Sequence, residues 1–367
     1  PDPHTVSGQT AELAAWLRLT LVGGIGGATQ RTLLAAFGDP EAIFSAPPAL
    51  LDQHIGVDRA RALLAGDCAQ AIDAALAWAS ERGNHIIVLG DPNYPPSLLD
   101  IPDPPTLLYV KGDPGRLAGP ALAIVGARNC TPQGASNAEA FARALSAAGV
   151  TIVSGLAVGI DTAAHRGGLA GPGGTVAVIG TGADRIYPAR NEALAREISA
   201  GGAIVSEFPL GTPPLAANLP RRNRLLAGLS AGVLVVEAAL RSGSLITARL
   251  AAEQGRDVFA LPGSIHAPLA KGCHRLIKDG AKLVDTIDDI LTELRIEAAN
   301  PHAPAPTPAR DDDPLMSRLG DLPQSIDQLA LATGLPAAQI NVRLLELELA
   351  GLVASVPGGL WQRLSKT

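Results

Sequence analysis

Residues 150–165, VTIVSGLAVGIDTAAH, bring a hydroxyl and glycines (Ser154, Gly155, Gly159), a carboxylate (Asp161) and an imidazole (His165) into one short stretch. A strand, a small-residue loop and a helix start is the geometry that points free backbone N–H groups at an anion. Glycine lets a phosphate come close because no Cβ intervenes. The stretch is not GxGxxG and lacks the lysine of a P-loop. Taken alone, it fits a tight turn of a Rossmann-like sheet without ligand equally well. Asp161 and His165, spaced i, i+4, share a helix face and read as structural rather than as a general acid and base. Cys68, Cys130 and Cys273 are scattered without CxxC spacing, and His4, His54, His85, His266, His274 and His302 show no ligand spacing. No metal, disulfide framework or other cofactor is expected.

The second group is cationic. Between residues 221 and 249 lie five arginines and one glutamate, in a chain of formal net charge −6. Guanidinium groups beside glycine loops suit phosphate recognition. In NLPRRNRLLAGLS (218–230), Leu225, Leu226 and Leu229 mark a buried face, with Arg221 and Arg224 pointing away from it and Arg222 pointing with it. A buried arginine needs a partner, so Arg222 is expected to meet a carboxylate, with Glu207 and Glu237 as candidates, or a phosphate. In RSGSLITA (241–248), Ser242, Gly243 and Ser244 repeat the order of small residues before a helix.

These residues need a scaffold. From residue 84 onward, short β-branched runs (85–90, 106–112, 122–128, 150–156, 175–182, 203–209, 232–239, 257–263) alternate with helical segments (133–148, 160–170, 190–200, 218–230, 244–255). That alternation predicts an α/β fold, a Rossmann-like doubly wound, mostly parallel sheet, with the 85–112 pair at an edge. Ligands of such sheets sit beyond the strands' carboxyl ends. There stand Gly126-Ala127-Arg128, Ser154-Gly155, Gly180-Thr181-Gly182, Ser206-Glu207, Glu237 and Gly263, a concentration that points to a polyanion across the crevice or a nucleotide in it.

Upstream, residues 11–80 read as helical, and LTLVGGIGGATQRTLLAAFG (19–38) has a helix–hairpin–helix pattern, echoed at 50–65. If that segment touches DNA, Arg18, Arg31, Arg59 and Arg61 are the nearby charges. Residues 298–314 are rich in proline, alanine and aspartate and read as a linker. Beyond it, two helices about a Gly-Leu-Pro turn and a Pro-Gly-Gly hairpin predict a winged helix. Its second helix sets Arg343 against Glu346 and Glu348, a poor balance for a phosphate-lined groove, which favours a protein-contact or structural role. The expected layout is 1–82, an N-terminal helical domain (helix-hairpin-helix, SAM-like); 83–297, the Rossmann-like domain; 298–315, the linker; and 316–367, the winged helix.

The 367 residues are 47% hydrophobic, 17% charged and 3% aromatic, enough for two or three cored domains filled by small aliphatics. The acidic balance argues against a protein coated in basic surface, while allowing a local basic groove. No apolar run reaches membrane length and no signal-peptide segment is visible, so no membrane partner and a reducing, cytoplasmic setting are expected. The chain begins at Pro1 rather than Met, so native residues are expected ahead of it.

The central segment resembles the DNA-processing protein A (DprA, Smf) family, through IVGAR (124–128), SGLAVGIDTAAH (154–165), AVIGTGADRIYPARNEAL (177–194), SEFPLG (206–211), LPRRNRLLAGLS (219–230), VVEAALRSGSLITARLAAEQGRDVFALPG (235–263) and GCHRLIKDGAKLV (272–284). The resemblance implies a non-catalytic single-stranded-DNA binder that dimerises through its Rossmann-like domain. It also implies loading of RecA recombinase onto incoming strands in natural transformation. It assigns DNA contacts to Gly126 and Arg128, to Ser154 and Gly155, and to Arg222, Asn223 and Arg224. Where relatives often carry a stacking aromatic, this chain has Leu219, which offers apolar contact. The implied dimer surface is roughly 257–290. Two other readings stand beside this one. A phosphoribohydrolase-type nucleotide enzyme would need a PGGxGT loop that the chain lacks; GPGGT (171–175) precedes a strand instead of following one. A winged-helix transcription regulator would bind duplex through residues 316–367.

Overall fold

The computed structural model describes residues 3–296, 313–319 and 323–364; most of the expected linker, with His302, lies outside them. The chain divides into two compact units, one made of Pro1–Gly119 and Val176–Leu229, the other of Pro120–Thr175 and Ser230–Thr367.

The first unit opens with six helices: α1 (Pro3–Leu21), α2 (Gly27–Phe37), α3 (Pro40–Ser45), α4 (Pro48–Ile55), α5 (Val57–Ala65) and α6 (Ala69–Ser80). The turn between α1 and α2 has Gly24 at φ +82°, and the turn between α4 and α5 has Gly56 at φ +81°. Left-handed backbone of this kind favours glycine, so both hairpins expected from sequence form where glycine allows them. Trp16, Leu17, Leu33, Leu51 and Leu63 pack with Trp78 and Tyr109 into a shared core. Strands β1 (Asn84–Val88) and β2 (Leu107–Gly112) follow.

The second unit begins with β3 (Ala121–Val125), α7 (Pro132–Ala147), β4 (Thr151–Ser154) and α8 (Ile160–Leu169). Thr131 caps α7 and Pro132 occupies its first turn, the start signal of a helix. β5 (Thr175–Val178) leads into α9 (Glu192–Gly201), β6 (Ala203–Ser206) and α10 (Asn218–Gly228) of the first unit. The chain then supplies β7 (Gly232–Val235), α11 (Ser244–Glu253), β8 (Asp257–Ala260), α12 (Lys271–Lys278), β9 (Lys282–Leu283) and α13 (Ile287–Glu293).

In the first unit the strand order is β1-β2-β6-β5. β2 pairs antiparallel with both β1 (Asn84 opposite Lys111) and β6 (Tyr109 opposite Ser206), so the 85–112 hairpin extends a sheet edge as expected. In the second unit the order is β4-β3-β7-β8-β9, all parallel, with Leu122 opposite both Ile152 and Gly232. β3 therefore lies where the winding reverses, and the carboxyl ends of β3 and β7 flank the crevice that such sheets use for ligands. Most of these strands are buried along their whole length, which is why they read as continuous aliphatic runs.

The last part of the second unit contains α14 (Pro314–Arg318), β10 (Gln324–Ser325), α15 (Ile326–Thr333), α16 (Ala337–Leu349), β11 (Val353–Val356) and β12 (Leu360–Arg363). The three strands form an antiparallel sheet in the order β10-β12-β11, which with the helices is a winged helix. Ser325 and Gln328 form a capping box at the start of α15, and left-handed Gly334 ends it. Among the described residues no helix is long and apolar enough to cross a membrane.

Candidate nucleic-acid interface

In the second unit the strand ends gather most of the residues expected to meet DNA. Arg128 follows β3 and is exposed, with no ion pair or hydrogen bond to any described residue. Its backbone is pinned: Ile160 N–H donates to the Ala127 carbonyl at 3.2 Å, and a Cβ on Gly159 (φ +82°) would strike the Ala127 and Arg128 carbonyls. A side chain on Gly126 would meet Ile160 at 2.7 Å and the Glu237 carbonyl at 2.9 Å. The guanidinium thus stands free on a rigid base.

The neighbouring loop departs from expectation. The amides after β4 are not free for an anion. Gly155 and Ala157 donate to the Asp161 carboxylate at 3.1 and 3.3 Å, and Leu156 donates to His165 Nε2 at 3.3 Å. Ser154 is fully buried, and its hydroxyl donates to the Ile124 carbonyl at 2.7 Å. The physical reason is local: an acid in the first turn of α8 complements the helix dipole and caps its own approach loop. His165 also has a fixed tautomer. Nε2 accepts, so Nδ1 carries the proton and donates to Thr175 Oγ1 at 2.7 Å, which in turn donates to the Ile152 carbonyl at 2.7 Å. Leu156, a non-glycine residue at φ +57°, is held in this strained shape by that network. Asp161 and His165 together hold the loop after β4.

A carboxylate occupies the crevice at the β3/β7 reversal. Glu237, just past β7, accepts from the Thr131 N–H at 2.9 Å and the Thr131 hydroxyl at 2.6 Å, against the first turn of α7. Burial pushes its carboxyl above the ordinary range, and the two Thr131 bonds oppose that. A Cβ at Gly134 would lie 2.6 Å from both Glu237 carboxylate oxygens. Where a nucleotide-binding relative of this architecture would place a phosphate, this chain places its own acid. Glu237 is therefore held against the start of α7. In the 241–248 loop, the Ser242 and Ser244 hydroxyls bond each other at 2.7 Å, and the Ser244 N–H donates to Ser242 Oγ at 3.3 Å, while Gly243 and Arg241 are exposed.

In the first unit, α10 carries the remaining expected residues. Arg222 is buried, 6% exposed, and donates to the Val178 carbonyl at the end of β5 at 2.7 Å. A strand-end carbonyl thus receives one arm of the guanidinium. Asn218 likewise donates to the Gly180 carbonyl at 2.9 Å, and Asn223 is buried. Arg224, expected to point away, is a second correction. Its side chain is only 13% exposed and pairs with Glu207 and, at 3.3 Å, with Asp103. The helical-wheel reading missed this because Asp103 arrives from the distant 100–105 segment. Arg221 is the outward cation, 62% exposed, with its guanidinium 5.0 Å over the Phe208 ring. Leu219 is half-buried beside Gly180.

Two of the four hairpin-domain arginines are also engaged. Arg18 donates to the Leu64 carbonyl at 3.2 Å and lies 4.1 Å over Phe44; Arg31 pairs with Asp103 and donates to the Pro104 carbonyl at 2.9 Å. Arg59 and Arg61 are exposed. In the winged helix, Arg343 on α16 is bridged by Asp313 at 2.7 Å and Glu346 at 2.6 Å, consistent with the weak phosphate-reading character expected of that helix. No group of three or more His, Cys, Asp or Glu side chains poised for a metal occurs among the described residues.

Residues 85–295 match the family model of DNA recombination-mediator protein A, and residues 299–359 match that of the DprA winged helix domain. The chain belongs to the DNA recombination-mediator protein A family. It is 46% identical over 300 residues to Protein Smf of Escherichia coli, an alignment covering 79% of this chain and 80% of that protein. It is 50% identical over 225 residues to DNA processing protein DprA of Streptococcus pneumoniae, covering 61% and 79%. The crystal structure of the Streptococcus pneumoniae protein superposes with a TM-score of 0.67 at 38% identity, covering 76% of this chain and 97% of that one. That of Helicobacter pylori DNA processing protein A, described for its single-stranded DNA binding mode, gives 0.52 at 32% identity, covering 57% and 96%.

Proposed function

We propose that this DprA-family chain binds single-stranded DNA through the sugar–phosphate backbone, without catalysis, and acts as a recombination mediator that protects incoming strands and loads RecA recombinase in natural transformation. The observation that carries the reading is Arg128: an exposed guanidinium with no protein partner among the described residues, on a backbone pinned by Gly159. The single-stranded DNA binding described for the Helicobacter pylori relative supports it. The proposed contact set is Gly126, Arg128, Ser154, Gly155, Leu219, Arg222, Asn223, Arg224, Ser242, Gly243 and Ser244, with divided roles. Arg128 meets phosphate directly. Ser154 and Gly155 shape the loop after β4, and Arg222, Asn223 and Arg224 anchor α10 so that Leu219 is presented. The protein works as a cytoplasmic homodimer through residues 257–290, with domains at 1–82, 83–297 and 316–367 and a linker at 298–315.

The test is a gel shift with single-stranded and duplex oligonucleotides, run on the full chain and on a chain lacking residues 316–367. The expected result is a single-strand preference that survives the deletion. Sequence-specific duplex binding lost with residues 316–367 would overturn it in favour of a regulator. Robust nucleobase release from nucleoside monophosphates would overturn it in favour of an enzyme.

A further inference from the structure

Tyr187, in the loop after β5 of the first unit, stands apart from the other aromatic side chains. The chain has three tryptophans, three tyrosines and five phenylalanines, all among the described residues. Tyr187 is 58% exposed, while every other one is buried or half-buried. A ring left in water contributes no burial to the fold.

Its surroundings are cationic. Arg185 and Arg190 are exposed and make no ion pair or side-chain hydrogen bond with any described residue. The acids beside them in sequence are engaged elsewhere. The Asp184 carboxylate accepts from the Gly211 N–H at 2.8 and 3.0 Å, and Glu192 pairs with Arg196 at 2.5 Å. The loop itself is tied down. The Thr181 hydroxyl donates to the Arg185 carbonyl at 2.7 Å, the Arg185 N–H donates to the Gly182 carbonyl at 2.9 Å, and the Gly182 N–H donates to the Thr212 carbonyl at 3.0 Å. At the far end the N–H of buried Asn191 donates to the Pro188 carbonyl at 3.0 Å. A ring carried on a fixed backbone loses little freedom when something binds it.

The position suits a strand. β5 and β6 run parallel, and the loop leaves the carboxyl end of β5, the side on which such sheets take ligands. At its root the Gly180 carbonyl accepts from Asn218 at 2.9 Å, beside Leu219 at the start of α10. Every base has a π-face, and in a single strand that face is free to turn out and stack on an aromatic ring. A stacked base brings a phosphate on either side of it, and guanidinium groups two residues before the ring and three after it suit those charges.

We propose that Tyr187 is a stacking platform for one base of the bound strand, with Arg185 and Arg190 on the flanking phosphates. The inference rests on the single-strand binding proposed above and adds to it the residue that holds a base.

The experiment measures anisotropy of the full chain with a labelled thymidine 20-mer at several salt concentrations. Tyr187→Phe should bind within about twofold of wild type, and Tyr187→Ala about tenfold more weakly. The salt slope of Tyr187→Ala should match wild type, because stacking releases no counterion, while Arg185→Ala and Arg190→Ala should each reduce the slope by about 0.7. Tyr187→Ala with wild-type affinity, an equal loss in Tyr187→Phe, or arginine variants with an unchanged slope would overturn the inference. A second arm needs no variant. The same strand carrying 5-iodouracil is irradiated on the wild type, and the cross-linked peptide is mapped. A cross-link at Tyr187 supports the platform; cross-links confined to other residues overturn it. A wild type that binds the strand while Tyr187→Ala binds equally well sinks the platform alone; a wild type that binds no strand sinks the single-strand reading with it.

Discussion

Removing the Arg128 guanidinium separates a phosphate contact from a structural one. The side chain is exposed and touches no described partner, so Arg128→Ala leaves the fold intact, within about 0.5 kcal/mol of wild type by denaturant midpoint. A charge-assisted hydrogen bond to phosphate contributes about 1.5–3 kcal/mol, and solvent screening puts this exposed one at the lower end. About 1.4 kcal/mol is a tenfold loss of affinity. Salt dependence gives an independent reading. Single strands lose about 0.7 in slope per neutralised phosphate, so four contacts per protomer give a log–log slope of about −3, and losing one brings it to about −2. Arg128→Lys keeps the charge and hence the slope, while losing the planar fork that grips two oxygens at once. The assay is anisotropy of a labelled thymidine 20-mer at five salt concentrations, beside a melting curve for each variant. An Arg128→Ala protein that binds with wild-type affinity and wild-type slope would refute the phosphate contact. A variant that melts early would refute the claim that the residue has no structural role.

Arg224→Ala is expected to behave oppositely, destabilising the first unit by about 3 kcal/mol in chemical denaturation, because it removes the nearer ion-pair partner of the buried Glu207 carboxylate and leaves only Arg221 at 4.0 Å. Gly134→Ala should cost about 1–3 kcal/mol in the same measurement, since its Cβ would lie 2.6 Å from the Glu237 oxygens and force the carboxylate off Thr131. Glu237 should also give a pH signature. Its folded carboxyl is raised above the ordinary value of 4.5 by burial, so its favourable contribution is fully present below that value and fades as pH rises through the raised one. The stability of wild type relative to Glu237→Gln should therefore fall from pH 4.5 towards neutrality; a difference that is flat or grows would contradict the burial argument.

Much of the architecture was legible in the chain. Eight of the strands announce themselves as short aliphatic runs, because a strand covered on both faces has no polar positions to interrupt it. β9 did not, since the two residues Lys282–Leu283 carry no periodicity and pair only because β8 is already in place. The hairpin turns at Gly24 and Gly56 were marked by glycine, and the winged helix by its turn residues. Arg222 was correctly read as buried from its place among Leu225, Leu226 and Leu229.

What sequence alone determined is thus the alternation of elements, the glycine-bearing strand ends and the family. These follow from local pattern, since burial on two faces, left-handed turns and helix starts each demand particular residue types within a few positions. Only the tertiary structure decided which polar groups remain available. Asp161 and His165 take the amides after β4, Glu237 fills the start of α7, the Val178 carbonyl accepts from Arg222, and Glu207 with Asp103 claims Arg224. Several of those partners lie far apart in the chain, and a charge or an amide stays free only if nothing folded beside it can neutralise it at lower cost than water. Arg128 meets that condition, and no local pattern could have singled it out from Arg224.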